Sequence, residues 1–322
     1  MNDKKIIVIT GGLGFIGSHV VDACLFNGWY VKIIDKCTYA ANTHLIEKWK
    51  ASWNSQFSFE KKDINDLDRI IDCDIFINCA GETHVDNSIG RSSEFVHTNI
   101  VGVHHILELL RNYGGEGYKK PLFLHFSTDE VYGDVVSGEH LETDKLKPSN
   151  PYSATKAAAD QLVLAWGRTY KIPWLIVRPT NNWGINQYVE KLIPKTCKFL
   201  SLNRRVPLHN NGTPYRNWLH ASDTAQAITT LIESGVTNEI FNVSGKFEQQ
   251  NIDVVRKVIN CYFGREVEDY ENYIDFTLNR PGQDVRYFIN DTKLRELGWK
   301  PKMEFDEELP NLINYYKKNF IW

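Results

Sequence analysis

Few short stretches restrict a fold as tightly as KIIVITGGLGFIGSH at residues 5–19. An apolar, β-branched run gives a buried strand, and glycines then crowd the turn that follows it. Gly12, Gly14 and Gly17 fit a GxGxxG frame; Gly11, Gly14 and Gly17 fit an overlapping one. A helix is predicted over 15–27, with Ile16, Val20, Ala23 and Phe26 on one face and Gly28 closing it. Strand, glycine turn and helix in this order let a pyrophosphate approach backbone N–H groups at a helix N-terminus. Asp35 ends the next strand, YVKIID at 30–35. A carboxylate there accepts ribose hydroxyls and repels a 2′-phosphate, which favours NAD over NADP. Lys36 weakens that repulsion slightly, and Asp63 and Ile64, after the third strand, are expected to flank the adenine.

The same alternation continues through the first half. Strands are predicted at 5–10, 30–35, 57–63, 73–81, 121–127 and 172–179, with helices that include 93–111 and 150–170. Asn150 is a good N-cap and Pro151 suits the first helical position. Apolar strands alternating with helices imply an α/β fold, a Rossmann-type doubly wound parallel sheet covered on both faces. Residues 1–182 are expected to form the dinucleotide-binding domain, with 217–245 returning to it through a strand at 239–245. After Pro179 the pattern turns irregular, so 183–322 reads mainly as a smaller, loop-rich, C-terminal substrate-binding domain.

Composition excludes several functions. A net charge of -3 offers no basic field for nucleic acid or an anionic membrane. The N-terminal apolar run is too short for a signal peptide, and no later stretch is apolar enough to span a bilayer. Six cysteines without a CxxC pair read as reduced thiols of a cytoplasmic protein. The histidines are scattered singly or paired as His104-His105, so no metal is expected.

Two features carry chemistry. Of fifteen tyrosines only Tyr152 has a lysine four residues on, so Tyr152 and Lys156 share a helix face. An ammonium beside a phenol lowers its pKa and lets it act as a base. The second is LFLHFSTDEVYG at 122–133, where an apolar strand stops at two adjacent carboxylates, Asp129 and Glu130. Charged groups next to an apolar interior are costly unless paired or neutralised.

With Thr128 before them, these residues resemble the extended short-chain dehydrogenase/reductase family. STDEVYG resembles, within it, the nucleotide-sugar 4,6-dehydratases. GGLGFIGSH, THVDNSI, NPYSATKAAAD, EKLIP, NRPGQDVRYFIN and KLRELGW follow in the family's order, so the resemblance spans nearly the whole chain. It implies an NAD-dependent enzyme that oxidises carbon 4 of an NDP-glucose, eliminates water across carbons 5 and 6, and reduces carbon 6. Tyr152 would take the carbon 4 hydroxyl proton with Lys156 beside it, Thr128 would hold that hydroxyl, Asp129 would be the acid and Glu130 the base. Burial and Glu130 would keep Asp129 protonated. The implied cofactor contacts are Gly11, Gly14, Phe15, Ile16, Gly17, Asp35, Lys36, Thr38, Asp63, Ile64, Ala80 and Asn99, with Tyr152 and Lys156. The implied substrate contacts are Thr83, His84, Thr128, Asn181, Lys191, Leu192, Pro207, His209, Arg216, Asn251 and Arg280.

The resemblance also implies a homodimer formed through helices 93–111 and 150–170. The nucleobase stays open between UDP-glucose and dTDP-glucose, since THVDNS and NPYSATK lean toward plant-type UDP-glucose enzymes. Gly81, Trp183 and Asn217 stand where Ala, Tyr and Asp are usual. The competing readings are a sugar-nucleotide 4-epimerase, against which Asp129 and Glu130 argue, and a non-catalytic NAD-binding protein.

Overall fold

A computed structural model describes residues 4–114 and 118–319. The strands are β1 (Ile6–Thr10), β2 (Tyr30–Asp35), β3 (Phe57–Lys61), β4 (Ile75–Asn78), β5 (Leu122–Phe126) and β6 (Trp174–Pro179). They continue with β7 (Asn181–Trp183), β8 (Val206–Pro207), β9 (Tyr215–His220), β10 (Glu239–Val243), β11 (Phe247–Gln250) and β12 (Ile274–Asp275). The helices begin with α1 (Phe15–Phe26), α2 (His44–Trp53), α3 (Val85–Gly90), α4 (Ser92–Val96), α5 (Gly102–Arg111) and α6 (Pro151–Tyr170). After them come α7 (Leu192–Ser201), α8 (Ala221–Ser234), α9 (Asn251–Phe263), α10 (Thr292–Arg295) and α11 (Phe305–Lys318).

Seven strands form one parallel sheet in the order β10-β6-β5-β4-β1-β2-β3. Strand order reverses between β1 and β4, and open α/β sheets bind ligands at the carboxyl ends of strands at such a point. Alternation along the strands divides the core between two faces. Ile7 and Ile9 of β1 pack with Val20, Val21 and Cys24 of α1 and Ile228 and Leu231 of α8. Val8 faces the other way, with Phe76, Phe123 and Ile176, onto Val103, Ile106 and Leu110 of α5 and Val163 of α6.

Helix α6 begins as the sequence requires. The Asn150 side chain accepts from Ser153 N, the Ser153 hydroxyl answers at Asn150 N, and Pro151 occupies the first turn, where its missing N–H costs nothing. The 93–111 helix is interrupted: α4 passes through a π turn at His97–Val101 into α5. On α1, Phe26 departs from its expected face. It is 76% exposed and packs edge-on against Trp53, while the buried stripe runs through Gly17, Val20, Val21, Cys24 and Leu25. That stripe is displaced because α1 lies between the sheet and α8, with both sides covered.

The irregular region beyond Pro179 is more helical than its sequence suggests. Helices α7, α9 and α11 pack around Trp183, Trp218 and Phe305, against the sheet β11-β9-β7. Pro194 disguises α7, yet it sits in the first turn, where proline is tolerated. Strand β10 joins the edge of the large sheet, whereas β9 pairs with β7 and β11. No helix of the described residues is long and apolar enough to cross a membrane.

Candidate active site

At the reversal point Thr10 donates to Asn78 Oδ1 at 2.6 Å, pinning the ends of β1 and β4 side by side. The glycine turn lies directly beyond. Gly11 adopts φ 67° with its α-carbon pressed on the Ala80 backbone, so a Cβ would lie 2.6 Å from Ala80 N. A Cβ on Gly17 would lie 2.2 Å from Gly11 O, so only glycine lets α1 start this close to the turn. Asp35 is buried at the end of β2, where Oδ2 accepts from Leu13 N at 3.0 Å and Oδ1 from Cys37 N at 2.8 Å. Burial pushes its carboxyl upward, and the two N–H groups pull it back.

The cleft above this turn holds about 1540 Å³ of empty space. Gly11, Gly14, Phe15, Ile16, Gly17, Asp35, Lys36, Thr38, Asp63, Ile64 and Ala80 all line it, with Thr128 and Tyr152 at the far end. The backbone cradle and the Asp35 carboxylate fit a dinucleotide pyrophosphate and ribose. Asn99 is placed otherwise. It is fully buried, its Oδ1 accepts from Glu82 N, and its amide donates to Glu82 O and Thr155 Oγ1. With those bonds made it buttresses the 80–82 segment instead of lining the cleft. Residues that the sequence did not single out also line it, namely Tyr39, Ala40 and Ala41 on one side and Tyr188 on the other, next to Glu190 at the start of EKLIP. Tyr39 Oη donates to Glu190 Oε2 at 3.1 Å across the gap.

The two carboxylates sit where β5 ends. Thr128 caps a short 3-10 turn, Asp129–Tyr132, its hydroxyl accepting from Glu130 N and donating to Asp129 Oδ1 at 3.3 Å. Asp129 is 3% exposed and its Oδ2 has no hydrogen-bond partner. Burial first, then the Glu130 charge, push its carboxyl up to about 8. Glu130 is also raised by burial, but Arg216 and Asn150 oppose the rise. Glu130 Oε2 accepts from Asn150 Nδ2 at 3.3 Å and from Tyr287 Oη at 3.4 Å. One carboxyl is thus set up to hold a proton and its neighbour to give one up, the arrangement a paired acid and base requires.

Tyr152 and Lys156 share a buried face of α6, but the expected lowering of the phenol by the lysine is absent. Burial, then the charges of Glu130 and Asp129, push Tyr152 up; only a hydrogen bond from Thr128 works the other way. Lys156 Nζ is committed to Phe126 O at 2.5 Å, behind the cleft wall. It is itself lowered to about 8 by burial.

A second cleft, about 1040 Å³ of empty space, opens toward the C-terminal half. It shares Thr83, Glu130, Asn181 and Lys191 with the first, so Glu130 stands at the junction, with Asp129 on the side of the first cleft. His84, Leu192, Pro207, His209, Arg216, Asn251 and Arg280 line it as expected. Lys191 Nζ donates to Thr83 O at 3.1 Å. Arg280 forms a fork onto Asp86 at 2.6 and 2.9 Å, which holds its guanidinium at the cleft wall. Arg216 donates to Asp284 O at 3.1 Å and lies over the Tyr287 ring at 4.2 Å. Gln283, in the same segment as Arg280, lines the wall too, and so do Tyr287, Trp218 and Lys195, which were not among the expected contacts. Among the described residues no group of His, Cys, Asp or Glu could hold a metal ion.

A parallel sheet in this order, with a glycine turn at its switch point and a tyrosine–lysine pair on α6, defines the extended short-chain dehydrogenase/reductase class. Comparison with known proteins narrows it. The pattern of the GDP-mannose 4,6-dehydratase family matches residues 8–312. The dTDP-glucose 4,6-dehydratase of Neisseria gonorrhoeae is 39% identical over 338 residues, covering 98% of this chain and 96% of that protein. A trifunctional UDP-glucose 4,6-dehydratase of Arabidopsis thaliana is 38% identical over 99% of this chain and 48% of its own length. Among solved structures, the dTDP-glucose 4,6-dehydratase DesIV of Streptomyces venezuelae, with NAD bound, has a TM-score of 0.89 at 32% identity, covering 98% of this chain and 97% of that one. The chain belongs to the GDP-mannose 4,6-dehydratase family of nucleotide-sugar 4,6-dehydratases.

Proposed function

We propose that this protein is an NDP-glucose 4,6-dehydratase, converting dTDP-glucose or UDP-glucose to the 4-keto-6-deoxy sugar nucleotide and water. The observation that carries this reading is the buried, partnerless Oδ2 of Asp129 beside Glu130, in a carboxyl that burial and the Glu130 charge push up to about 8. A 4-epimerase has no use for such a pair, because it loses no water, and a non-catalytic binder would have no reason to keep an unsatisfied buried acid. NAD, held by the Gly11–Gly17 turn and Asp35, would supply a hydride acceptor and later the donor. Tyr152 takes the proton of the carbon 4 hydroxyl, which Thr128 steadies. The resulting ketone acidifies carbon 5, Glu130 removes that proton, and Asp129 protonates the carbon 6 hydroxyl as it leaves as water; carbon 6 would then regain the hydride and carbon 5 a proton, which gives the 4-keto-6-deoxy sugar. Lys191, Arg216 and Arg280 supply positive charge for the diphosphate.

Residues 1–182 with 217–245 read as the NAD-binding domain, and 183–322 mainly as the sugar-nucleotide domain. Support comes from β10 and α8 joining the large sheet and its core. A homodimer through the 93–111 and 150–170 helices is consistent with exposed Val96 and Val101 on the first of them. Six unpaired cysteines suit the cytoplasm.

Between the nucleobases, the bacterial relatives favour dTDP-glucose and outweigh the UDP lean of the THVDNS segment. The two bases differ by a methyl group, worth about 1–3 kcal/mol, so both are expected to turn over, with dTDP-glucose ahead in kcat/KM by about tenfold or more. Parallel assays of purified protein with both substrates test this; release of neither 4-keto-6-deoxy product would overturn the dehydratase reading. The cofactor claim has its own test. The wild-type protein is expected to copurify with NAD and return it unchanged after turnover. Gly17→Ala, whose new methyl meets Gly11 O, is expected to lose at least about tenfold in affinity, or ~1.4 kcal/mol, and to emerge from gel filtration without nucleotide. Nucleotide retained at the wild-type level would place the pyrophosphate elsewhere.

A further inference from the structure

Beneath the Tyr152–Lys156 pair lies a polar cluster that the reaction as described leaves unused. Asp160 is one turn beyond Lys156 on α6, so Tyr152, Lys156 and Asp160 follow one another down a single face. Asp160 is 0% exposed and Lys156 5%, so no bulk water screens either group. Asp160 Oδ2 accepts from Arg178 Nε at 3.0 Å, Arg178 Nη2 at 2.9 Å and Ser127 Oγ at 3.0 Å. Its Oδ1 has no hydrogen-bond partner, and His125 Nε2, likewise without one, lies 4.0 Å from it. The His125 ring is held from behind. Thr10 donates to Asn78 Oδ1, which turns the Asn78 amide toward His125 Nδ1 at 3.2 Å and leaves the proton on Nε2.

A buried ionised carboxylate with one oxygen unsatisfied is expensive: burial pushes Asp160 up, and Arg178, the Ser127 hydrogen bond and Lys156 oppose that rise. Packing alone does not account for the pair, since apolar residues of similar size in place of both Asp160 and Arg178 would fill the same space at no greater cost. We propose that Asp160, fixed by Arg178, is a positioning residue of the dehydratase reaction: its negative charge keeps Lys156 an ammonium in a site that water does not reach. This rests on the functional reading above for its consequence, but not for its physical content. The groups that act on Lys156 are few. Asp160 and Tyr152 lie on its own helix, Cys79 at the end of β4, and His125 on β5, with Arg178 of β6 behind Asp160. Burial drives Lys156 down, and Asp160 is first among the charges that oppose it. His125 cannot take that part, because burial and the nearby cations keep it neutral. Without Asp160, Lys156 would lose its proton at neutral pH, and Tyr152 would lose its cationic neighbour.

The experiment follows Lys156 directly, by NMR titration of protein labelled at lysine Cε, with Lys156→Arg identifying the resonance. The wild-type midpoint is expected near 8. In Asp160→Asn it should fall by about one pH unit or more, the size of shift an opposite charge at close range produces. Ser127→Ala removes a hydrogen bond to the same carboxylate but no charge, and should move the midpoint by less than about half a unit. Should the single Asp160 variant fail to fold around an unpaired Arg178, Asp160→Asn/Arg178→Met removes both charges and should still show the fall. An unmoved midpoint in the Asp160 variants, or an equal shift in Ser127→Ala, overturns the proposal. The titration needs no turnover. A wild-type protein that dehydrates no sugar nucleotide would sink the functional reading and leave this result standing.

Discussion

Glu130→Gln is expected to lower overall turnover by about 10²–10⁴-fold, the usual worth of a general base, while the oxidation at carbon 4 survives. Glutamine keeps the size of the side chain, so the contacts with Asn150 and Tyr287 need only small adjustment and the fold should persist. What disappears is the group that removes the carbon 5 proton. Reduced-nicotinamide absorbance should therefore rise when substrate is added and persist. Asp129→Asn should stall at the same stage for the complementary reason, because the leaving hydroxyl lacks a proton. The two variants separate in their pH dependence. Asp129 is held protonated up to about 8, so a donor role requires wild-type turnover to fall as pH rises through that value. The asparagine variant has no such group to titrate and should lose that limb along with most of its rate. If Glu130→Gln turns over at the wild-type rate, the adjacent carboxylates are not the acid–base pair, and the dehydratase reading fails with them.

Why the site was legible in one stretch and opaque in another follows from the range of the interactions that build it. The glycine turn, Asp35, the Asn150–Pro151 start of α6 and the Thr128-Asp129-Glu130 corner are each decided within a few residues. Caps, turns and strand ends act locally, so a sequence carries them openly. Tyr39 and Glu190 meet across 151 positions, and Glu130 and Tyr287 across 157. No local spacing announces such contacts, and the cleft walls they form were only partly foreseen. Asn99 shows the opposite error. A buried asparagine near a cofactor cleft is equally suited to line it or to brace it, and only the Glu82 and Thr155 partners decide for bracing. Phe26 fits the apolar period of α1 but lies where neither the sheet nor α8 reaches, so periodicity alone assigned it to the core. Tyr152 and Lys156 do share a buried face of α6 as their spacing implies, but the lysine does not lower the phenol as expected. Spacing gives adjacency, but the sign of the net shift depends on burial and on two carboxylates that arrive from β5.

That last point shapes the expectation for Tyr152→Phe. The ring packs edge-on against Phe95 at 6.4 Å, and phenylalanine preserves that contact, so stability should change by no more than about 1 kcal/mol. The chemical loss should be far larger. Burial and the Glu130 and Asp129 charges hold the phenol strongly in its protonated form. A base role for it therefore requires that substrate and cofactor, on filling the cleft, alter that balance, with the Thr128 hydrogen bond favouring the ionised form. Without the oxygen, the carbon 4 hydroxyl has nowhere to send its proton, and the first step stops. Turnover should fall by about 10²–10⁴-fold or more, and, unlike Glu130→Gln, the variant should show no rise in nicotinamide absorbance on adding substrate. Thr128→Ala should fall between the two, slowing the rise without abolishing it, because it removes the hydrogen bond that favours the ionised phenol but leaves the base in place. A Tyr152→Phe protein that still reduces its nucleotide at the wild-type rate would mean that another group, within reach of the junction of the two clefts, takes the proton.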